Sequence, residues 1–156
     1  MRGLLVVVPC GQGKVWDRKP AAGLTPAGNA YTGAPFKVNR EYAERFAERW
    51  VILSAKYGFV PPECLIAPYN VTFKKPSTSP VGVSFLRLQI QELGLDRYEM
   101  VVGLGGKDYQ AAVQEAFAGT TVRLVFPFAG LRIGKAMQAT KAAIATEDAF
   151  NSGGSS

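Results

Sequence analysis

The sequence predicts an α/β fold, a three-layer sandwich with a mainly parallel central sheet of about four strands. Two observations predict it: short apolar runs alternate with longer amphipathic segments, and each apolar run closes on a glycine-bearing turn. This alternation is typical of βαβ units, in which helices cover both faces of a parallel sheet. At 156 residues the chain suits one domain with its own core. We place that domain at residues 1–150 and predict that the polar tail, 151–156, is disordered or an expression remnant.

The first strand is predicted at 4–8, an unbroken apolar run that suits a central strand buried on both faces. A helix follows at 35–50, where aromatic residues recur at helical spacing and Pro35 suits the first turn. The remaining elements are predicted as a strand at 51–53, a helix at 83–93, a strand at 98–103, a helix at 108–117, a strand at 122–126 and a helix at 131–145. Long loops are predicted at 15–34 and 59–80, and long loops in compact domains are often functional.

Charge and composition restrict the class of partner. The formal net charge is +6, from 18 Lys and Arg against 12 Asp and Glu, which favours nucleic acid, DNA above all, or a nucleotide. Cys10 and Cys64 are the only cysteines and histidine is absent, so a closed zinc site with four N or S ligands cannot form. We therefore predict no metal and no cofactor. No apolar run is long enough to span a bilayer, so no membrane partner is expected, and the expected location is the cytoplasm with both thiols reduced.

Each predicted strand is followed by a glycine-bearing turn and a cation. Because ligands of open α/β sheets bind beyond the carboxyl ends of the strands, the cations predict one anionic site at this edge. The amides of Gly11 and Gly13 are expected to hold phosphate there, although the Gly-Gln-Gly-Lys stretch lacks the spacing of a P-loop. The alternative is that a small α/β domain needs such turns and that its surface cations coincide by chance. The four cations are Lys14, Lys56, Lys107 and Arg132.

Polar side chains follow the strand at 51–53 and provide candidates for chemistry. Ser54 is predicted to bind substrate, and Lys56 and Tyr57 are candidate catalytic groups, since the chain has no histidine. Asp17 and Asp108 lie at loops beside the same edge and are candidates for activating water. Asp108 has a simpler explanation, because a negative charge is favourable in the first turn of a helix.

Aromatic side chains and a cysteine complete the predicted site. Trp16, Tyr31 and Tyr69 lie in loops and are candidate stacking platforms for a base, worth about 1–3 kcal/mol per base. Their alternative role is to fill the space beneath the long loops. Cys10 is a candidate nucleophile near Lys14, but a packed strand end that borders the substrate is the favoured interpretation.

Four motifs together resemble a small bacterial and phage family of long-unassigned function. More distantly, they are similar to the YaaA peroxide-stress proteins and to a domain associated with archaeosine synthase, relatives that act on DNA or on modified nucleobases. The resemblance covers residues 4–73 and implies nucleic acid or nucleobase chemistry. It also implies an aspartate where this chain has Asn70, so Asn70 is expected to orient water or to read a base edge. The motifs are Pro9-Cys10-Gly11-x-x-Lys14, Tyr31-Thr32-Gly33-x-x-Phe36, Ser54-Ala55-Lys56-Tyr57-Gly58 and Pro68-Tyr69-Asn70.

The expected function is therefore an enzyme that cleaves an N-glycosidic bond, most simply a DNA glycosylase for a modified base. Lys56 could attack the sugar to form a Schiff base in such an enzyme. Two alternatives stay open, a DNA-binding stress or repair protein without catalysis and a hydrolase or transferase on free nucleotides.

Overall fold

The computed structural model describes residues 3–150, so the predicted tail at 151–156 lies outside the described residues. The strands are β1 (Leu4–Pro9), β2 (Thr25–Pro26), β3 (Arg49–Ser54), β4 (Gly58–Val60), β5 (Leu65–Ile66), β6 (Met100–Gly103) and β7 (Arg123–Val125). The α-helices are α1 (Ala27–Ala30), α2 (Ala34–Phe46), α3 (Val83–Leu93), α4 (Lys107–Ala116) and α5 (Ile133–Thr146). Single 3-10 turns lie at Val15–Asp17, Pro20–Ala22, Pro76–Thr78 and Leu95–Arg97.

The predicted α/β fold is confirmed, with a mostly parallel central sheet in the order β4-β3-β1-β6-β7. Strands β3, β1, β6 and β7 run parallel, and β4 pairs with β3 in the antiparallel direction. The small strands β2 and β5 form a separate antiparallel ribbon. The four parallel strands point the same way, so their carboxyl ends lie side by side at one end of the sheet. This row of strand ends is termed the carboxyl edge, and the candidate site lies there.

The central strand β1 has no polar residue because both of its faces are buried. Leu4, Val6 and Val8 join one buried cluster, which includes residues of α2 and α5. Leu5 and Val7 join a second cluster, built with residues of α3 and α4. Alternate side chains of a strand point to opposite faces of the sheet, so helices on both faces require an apolar residue at every position of β1.

Three predicted segments differ from the structure: the first helix, the loop at 59–80, and the loop at 15–34, which contains β2 and α1. The first helix was predicted to reach Trp50, but α2 ends at Phe46 and Trp50 lies in β3 opposite Val6. Pairing with the central strand satisfies the backbone there and overrides the helical spacing of Trp50. The predicted loop at 59–80 contains most of β4, which makes five strands in the sheet where about four were predicted.

A glutamine on α3 holds the edge strand β4 in place. Gln89 accepts a hydrogen bond from the Phe59 amide at 2.8 Å and donates one to the Tyr57 carbonyl at 2.9 Å. An edge strand exposes one row of unpaired backbone groups, and Gln89 supplies partners for that row. No helix among residues 3–150 is both long and apolar enough to cross a bilayer.

Replacing this glutamine is expected to weaken the fold. Gln89→Leu leaves the Phe59 amide without a partner, so the free energy of unfolding should fall by about 1–3 kcal/mol. Urea unfolding measures the loss, with Gln91→Leu as the control because Gln91 is exposed on the same helix. Equal midpoints for the two variants would contradict the role assigned to Gln89.

Candidate functional site

Three phenols, a thiol and a serine hydroxyl lie close together at the carboxyl edge of the sheet. These five side chains are termed the phenol cluster: Cys10, Tyr31, Ser54, Tyr69 and Tyr109. Tyr31 and Tyr69 share a hydrogen bond of 2.6 Å between their hydroxyls, and the Ser54 hydroxyl donates to Tyr69 at 3.2 Å. The Cys10 sulfur lies 3.2 Å from the Tyr109 hydroxyl. The fold positions the cluster directly, since Cys10 follows β1, Ser54 ends β3 and Tyr109 lies in the first turn of α4.

Ser54 organises the turn after β3. Its side chain is fully buried, and its oxygen accepts the backbone amides of Lys56 at 3.2 Å and Tyr57 at 3.1 Å. With the bond that it donates to Tyr69, its hydrogen-bonding capacity is used. In this position Ser54 fixes the β3–β4 turn and Tyr69, and its predicted role in binding substrate stays a prediction.

Tyr109 has the weakest partners in the cluster. Its hydroxyl contacts the Cys10 sulfur, a weak acceptor, and reaches the Cys10 carbonyl only at 3.4 Å. The ring is held from the side by Phe73, with centroids 5.6 Å apart and an interplanar angle of 89°. The ring is therefore fixed while its O–H can turn toward a bound molecule.

Burial keeps these phenols protonated. It raises the pKa of Tyr31, Tyr69 and Tyr109 well above the ordinary value, and the proximity of the Cys10 thiol raises each pKa further. Near neutral pH all three hydroxyls are therefore donors and acceptors of hydrogen bonds, and they do not release a proton.

Lys14 places a positive charge beside the cluster. Its ammonium lies 4.8 Å from the centre of the Tyr69 ring and donates to the Gln12 carbonyl at 3.1 Å. The preceding glycine loop packs against Thr32, whose amide donates to the Gly13 carbonyl at 3.0 Å. Within residues 3–150 the amides of Gly11, Gln12 and Gly13 have no acceptor, so they are free to bind an anion.

Lys56 and Tyr57 differ in what they can reach. Lys56 is exposed, with its ammonium 5.3 Å from the centre of the Tyr57 ring. The Tyr57 hydroxyl accepts the Ala67 amide at 3.2 Å and contacts the Ala67 carbonyl at 3.4 Å. The Tyr57 hydroxyl thus links the turn after β3 to the segment after β5, and its predicted catalytic role stays a prediction. Lys56 keeps a free ammonium at the edge.

Two aromatic residues predicted to stack on a base lie in the core. Trp16 is 6% exposed, and its indole N–H donates to the Gly23 carbonyl at 2.7 Å. Tyr31 is 3% exposed, with its ring tilted at 45° against Phe36. Neither ring offers an open face to a base, so both fill space beneath the long loop. Of the three predicted platforms, only Tyr69 keeps a partly exposed ring.

The predicted acidic and amide candidates lie around the cluster. Asp17 accepts the Lys14 amide at 2.8 Å and so stabilises the turn after the glycine loop. Asp108 is exposed in the first turn of α4, close enough to Tyr109 to contribute to the raised pKa of that phenol. Asn70 is exposed next to Tyr69. Asp108 is thus the carboxylate that the structure brings to the cluster.

The remaining predicted cations lie at helix starts. Lys107 begins α4, and Arg132 immediately precedes α5. Both are exposed and follow β6 and β7, at the same edge of the sheet as Lys14 and Lys56. No hydrogen bond or ion pair within residues 3–150 joins either of them to the phenol cluster.

The sequence did not identify Tyr109. The turn Leu104-Gly105-Gly106-Lys107 was recognised as a ligand edge, and Tyr109 lies two residues beyond it. A hydroxyl in the first turn of a helix that follows a parallel strand points back toward the carboxyl edge, and this signal was present in the sequence.

A shallow cavity of about 230 Å³ lies beside Tyr31, lined by Gly28, Asn29, Thr32, Phe36, Lys37 and Arg40 as well. The Arg40 guanidinium is already bonded to the Gly28 carbonyl at 2.6 Å and to the Asn29 side chain at 3.0 Å. Tyr31 is the only member of the phenol cluster in its lining. Because the other hydroxyls of the phenol cluster lie outside this cavity, the phenol cluster and not the cavity is the candidate site.

Residues 5–142 match the profile of a protein family described as "Family of unknown function (DUF6884)". The chain belongs to the DUF6884 family. It is similar to the uncharacterized protein YfjM of Bacillus subtilis (strain 168), at 37% identity over 142 residues, which cover 90% of this chain and 94% of YfjM. Membership of a family of unassigned function was predicted and is confirmed. The distant similarity to YaaA proteins stays a prediction.

One solved structure aligns with most of this chain at low similarity. The crystal structure of AF0587, described as a protein of unknown function, aligns with a TM-score of 0.45 at 12% identity. The alignment covers 92% of this chain and 52% of AF0587, so the chain spans about half the length of that protein. Within residues 3–150, Cys, Asp and Glu side chains form no group of three or more that could hold a metal ion.

Proposed function

We propose that the phenol cluster is the site at which this protein cleaves an N-glycosidic bond in nucleic acid, most simply as a DNA glycosylase for a modified base. The observation that carries the proposal is the position of Tyr109. Its protonated hydroxyl has weak partners and lies at the carboxyl edge of a parallel sheet. Free cations lie along the same edge. In open α/β sheets this edge is the usual place for a ligand.

The chemistry of base release explains why a protonated phenol is useful. When the bond between C1′ and the base nitrogen breaks, its electron pair leaves with the base, which becomes more negative. A hydrogen-bond donor placed at that charge lowers the barrier. Because burial raises its pKa, Tyr109 supports the leaving base as a donor and keeps its own proton.

The second half of the reaction needs a water molecule. Oxygen from water forms a bond to C1′ as the base departs, and the proton that water loses passes to a carboxylate. Asp108 adjoins Tyr109 in the same helical turn and is assigned this role. The departing base takes its proton from solvent, so the products are a free base and an abasic sugar.

The flanking groups are assigned to phosphate. The free amides of Gly11 to Gly13 and the Lys14 ammonium form one such position. Lys56 forms another, because its ammonium is exposed at the same edge and contacts the Tyr57 ring. Binding, and not attack on the sugar, is therefore its proposed role.

Trapping with borohydride distinguishes these roles of Lys56. If Lys56 attacked the sugar, reduction would leave a stable covalent adduct between protein and DNA. We expect no adduct with the wild-type protein under conditions in which base release proceeds. An adduct that disappears in Lys56→Ala would show that Lys56 is the nucleophile instead.

The proposed activity itself is tested on DNA that carries a panel of modified bases. Alkali cleaves abasic sites, so base release appears as strand breaks after alkaline treatment. We expect breaks at one or more modified bases and none in unmodified DNA. If no modified base gave strand breaks while DNA bound tightly, the second candidate, a binding protein without catalysis, would be supported. The Ser54 hydroxyl favours this candidate because its hydrogen bonds are all made within the protein.

A further inference from the structure

Positive charge is concentrated at the carboxyl edge of the sheet. The segments counted at this edge are 10–17, 55–57, 71–80, 104–108 and 126–132. They carry six cations, termed the edge cations, against two carboxylates, Asp17 and Asp108. The whole chain has 18 Lys and Arg and 12 Asp and Glu. The edge thus holds a third of the cations but only a sixth of the carboxylates, which accounts for most of the net charge. The edge cations are Lys14, Lys56, Lys74, Lys75, Lys107 and Arg132.

A hydrogen-bonded loop that packs on Tyr109 carries two of these lysines. Lys74 and Lys75 are exposed in the loop at 71–80. The Thr78 hydroxyl braces this loop from within, accepting the Thr72 amide at 3.0 Å and contacting the Lys75 carbonyl at 2.7 Å. At its start Phe73 packs on Tyr109. At its end the Val81 amide donates to the Ala55 carbonyl at 2.8 Å.

The edge cations are not neutralised within the protein. The ion pairs among residues 3–150 are Arg40 with Glu44 and Arg45 with Glu147, and neither includes an edge cation. Five of the six edge cations are exposed, and Lys14 is half-buried. Unpaired cations clustered on one face produce a field that attracts an anionic partner.

The edge is long enough for several phosphates. Strands β3, β1, β6 and β7 are consecutive in the sheet, and neighbouring strands lie about 4.8 Å apart, so cations at their ends extend over roughly 14 Å. One strand of B-DNA carries a phosphate about every 3.4 Å along the axis, so this length matches about four phosphates. A single nucleotide could occupy only part of such an edge.

We infer that this edge binds the backbone of a polynucleotide, with consecutive phosphates of one strand lying along the edge cations and Lys74 and Lys75 holding the phosphates beside Tyr109. The inference rests on the proposed function, because that function identifies a nucleobase as the group that enters the phenol cluster. It adds where the backbone of that polymer binds, and it assigns the loop at 71–80 to backbone binding.

The salt dependence of binding tests this surface. A labelled, unmodified oligonucleotide of about 20 nucleotides, single-stranded or duplex, is titrated with the protein between about 50 and 200 mM NaCl. Four phosphate contacts predict that log K falls with log salt with a slope of about −3.6 for duplex or −2.8 for single strands. Fluorescence anisotropy gives the affinity at each salt concentration.

Two double variants with the same change in charge locate the contacts. Lys74→Gln with Lys75→Gln should reduce the magnitude of the slope by about two, since each phosphate-binding lysine contributes about one. Arg97→Gln with Lys141→Gln removes two exposed cations from outside the edge, one in the turn before β6 and one within α5. This control should leave the slope unchanged. Equal losses in both double variants would overturn the assignment of the edge.

The partner itself is tested by competition. We expect unmodified DNA to displace the labelled strand and a mononucleotide at the same phosphate concentration to leave it bound. Equal competition by the mononucleotide would overturn the inference of a polymer.

A membrane surface is the other anionic partner to test, because the exposed apolar residues Leu131 and Ile133 flank Arg132. Phosphatidylserine vesicles are therefore included in the experiment. Binding to vesicles without binding to DNA would identify a membrane surface instead.

These outcomes are separate from those of the proposed function. Unmodified DNA contains no modified base to release, so its binding reports on the edge alone. Normal binding with no base release from any substrate would reject the glycosidic activity and leave the edge assignment standing. Release of base from free nucleosides, with no polynucleotide binding, would reject the edge and leave the chemistry standing.

Discussion

Raising the pH above about 10 is expected to unfold this protein steeply. Burial raises the pKa of four phenols above the ordinary value of about 10, namely Tyr31, Tyr42, Tyr69 and Tyr109. In the unfolded chain these phenols ionise near pH 10, whereas in the folded protein they stay protonated to higher pH. Their contribution to stability is therefore fully present below pH 10 and is lost as the pH rises toward the folded pKa values.

The size of this loss follows from linkage. Each such phenol lowers the free energy of unfolding by up to about 1.4 kcal/mol per pH unit, so four together give roughly 5 kcal/mol per unit. Since domains are stable by only about 5–15 kcal/mol, one to two units above pH 10 should remove most of the stability.

Urea unfolding monitored by far-UV circular dichroism at a series of pH values from about 8 to 11 measures this loss. The Tyr31→Phe variant lacks one of the four ionisations, and its stability should decline less steeply by about a quarter above pH 10. It also loses the bond to Tyr69, so its stability at pH 8 should be lower by about 1 kcal/mol. A wild-type protein whose urea midpoint stayed constant from pH 8 to 11 would contradict the burial of the phenols.

Tyr109→Phe is expected to reduce base release by about a hundredfold or more. The substitution keeps the ring and its packing on Phe73 but removes the O–H donor, and the loss of one such donor to a developing negative charge typically costs about 10²–10³ in rate. Single-turnover release of base from modified DNA measures the chemical step. Stability should change little, because the hydroxyl contacts only the sulfur and a distant carbonyl of Cys10.

Tyr98→Phe is the matched control. Tyr98 is also half-buried, but it precedes β6 and lies at the opposite edge of the sheet. Its substitution should leave the rate of base release unchanged. If both variants released base at the wild-type rate, Tyr109 would have no part in the chemistry.

Elements whose signal is local were predicted well from the sequence. The apolar run of β1 has no polar position because both faces of the strand are covered, and the sequence displays this directly. Helix α3 was predicted with the bounds that the structure has, since Gly94, with a φ of +67°, ends it in the left-handed conformation. The shared edge of the four glycine turns also followed from the alternation of strands and helices.

Elements that depend on distant partners were not predicted. Strand β4 is short, and its backbone groups are satisfied by β3 and by Gln89 of α3, which lies 30 residues from Phe59 along the chain. For the same reason, the sequence did not show what the Ser54 and Tyr57 hydroxyls contact. A hydroxyl at a strand end looks available in the sequence, and only the fold shows that Ser54 is buried and that Tyr57 is bonded to Ala67.

The candidate site was predicted in part. Cys10, Lys14 and Tyr69 were identified and do meet at the carboxyl edge. Trp16 and Tyr31 are aromatic, as a stacking platform requires. In the structure, however, their rings are buried and pack beneath the long loop between β1 and α2.

The central claim is that the phenol cluster releases a base from DNA, and the most direct measurement is the detection of that free base. Modified DNA is incubated with the protein, and mass spectrometry of the small-molecule fraction is compared with the count of abasic sites in the DNA. The proposal predicts one free base for each abasic site with the wild-type protein and a rate lower by about 10² or more with Tyr109→Phe. DNA that is bound at the edge cations yet yields no free base from any modified substrate would contradict it.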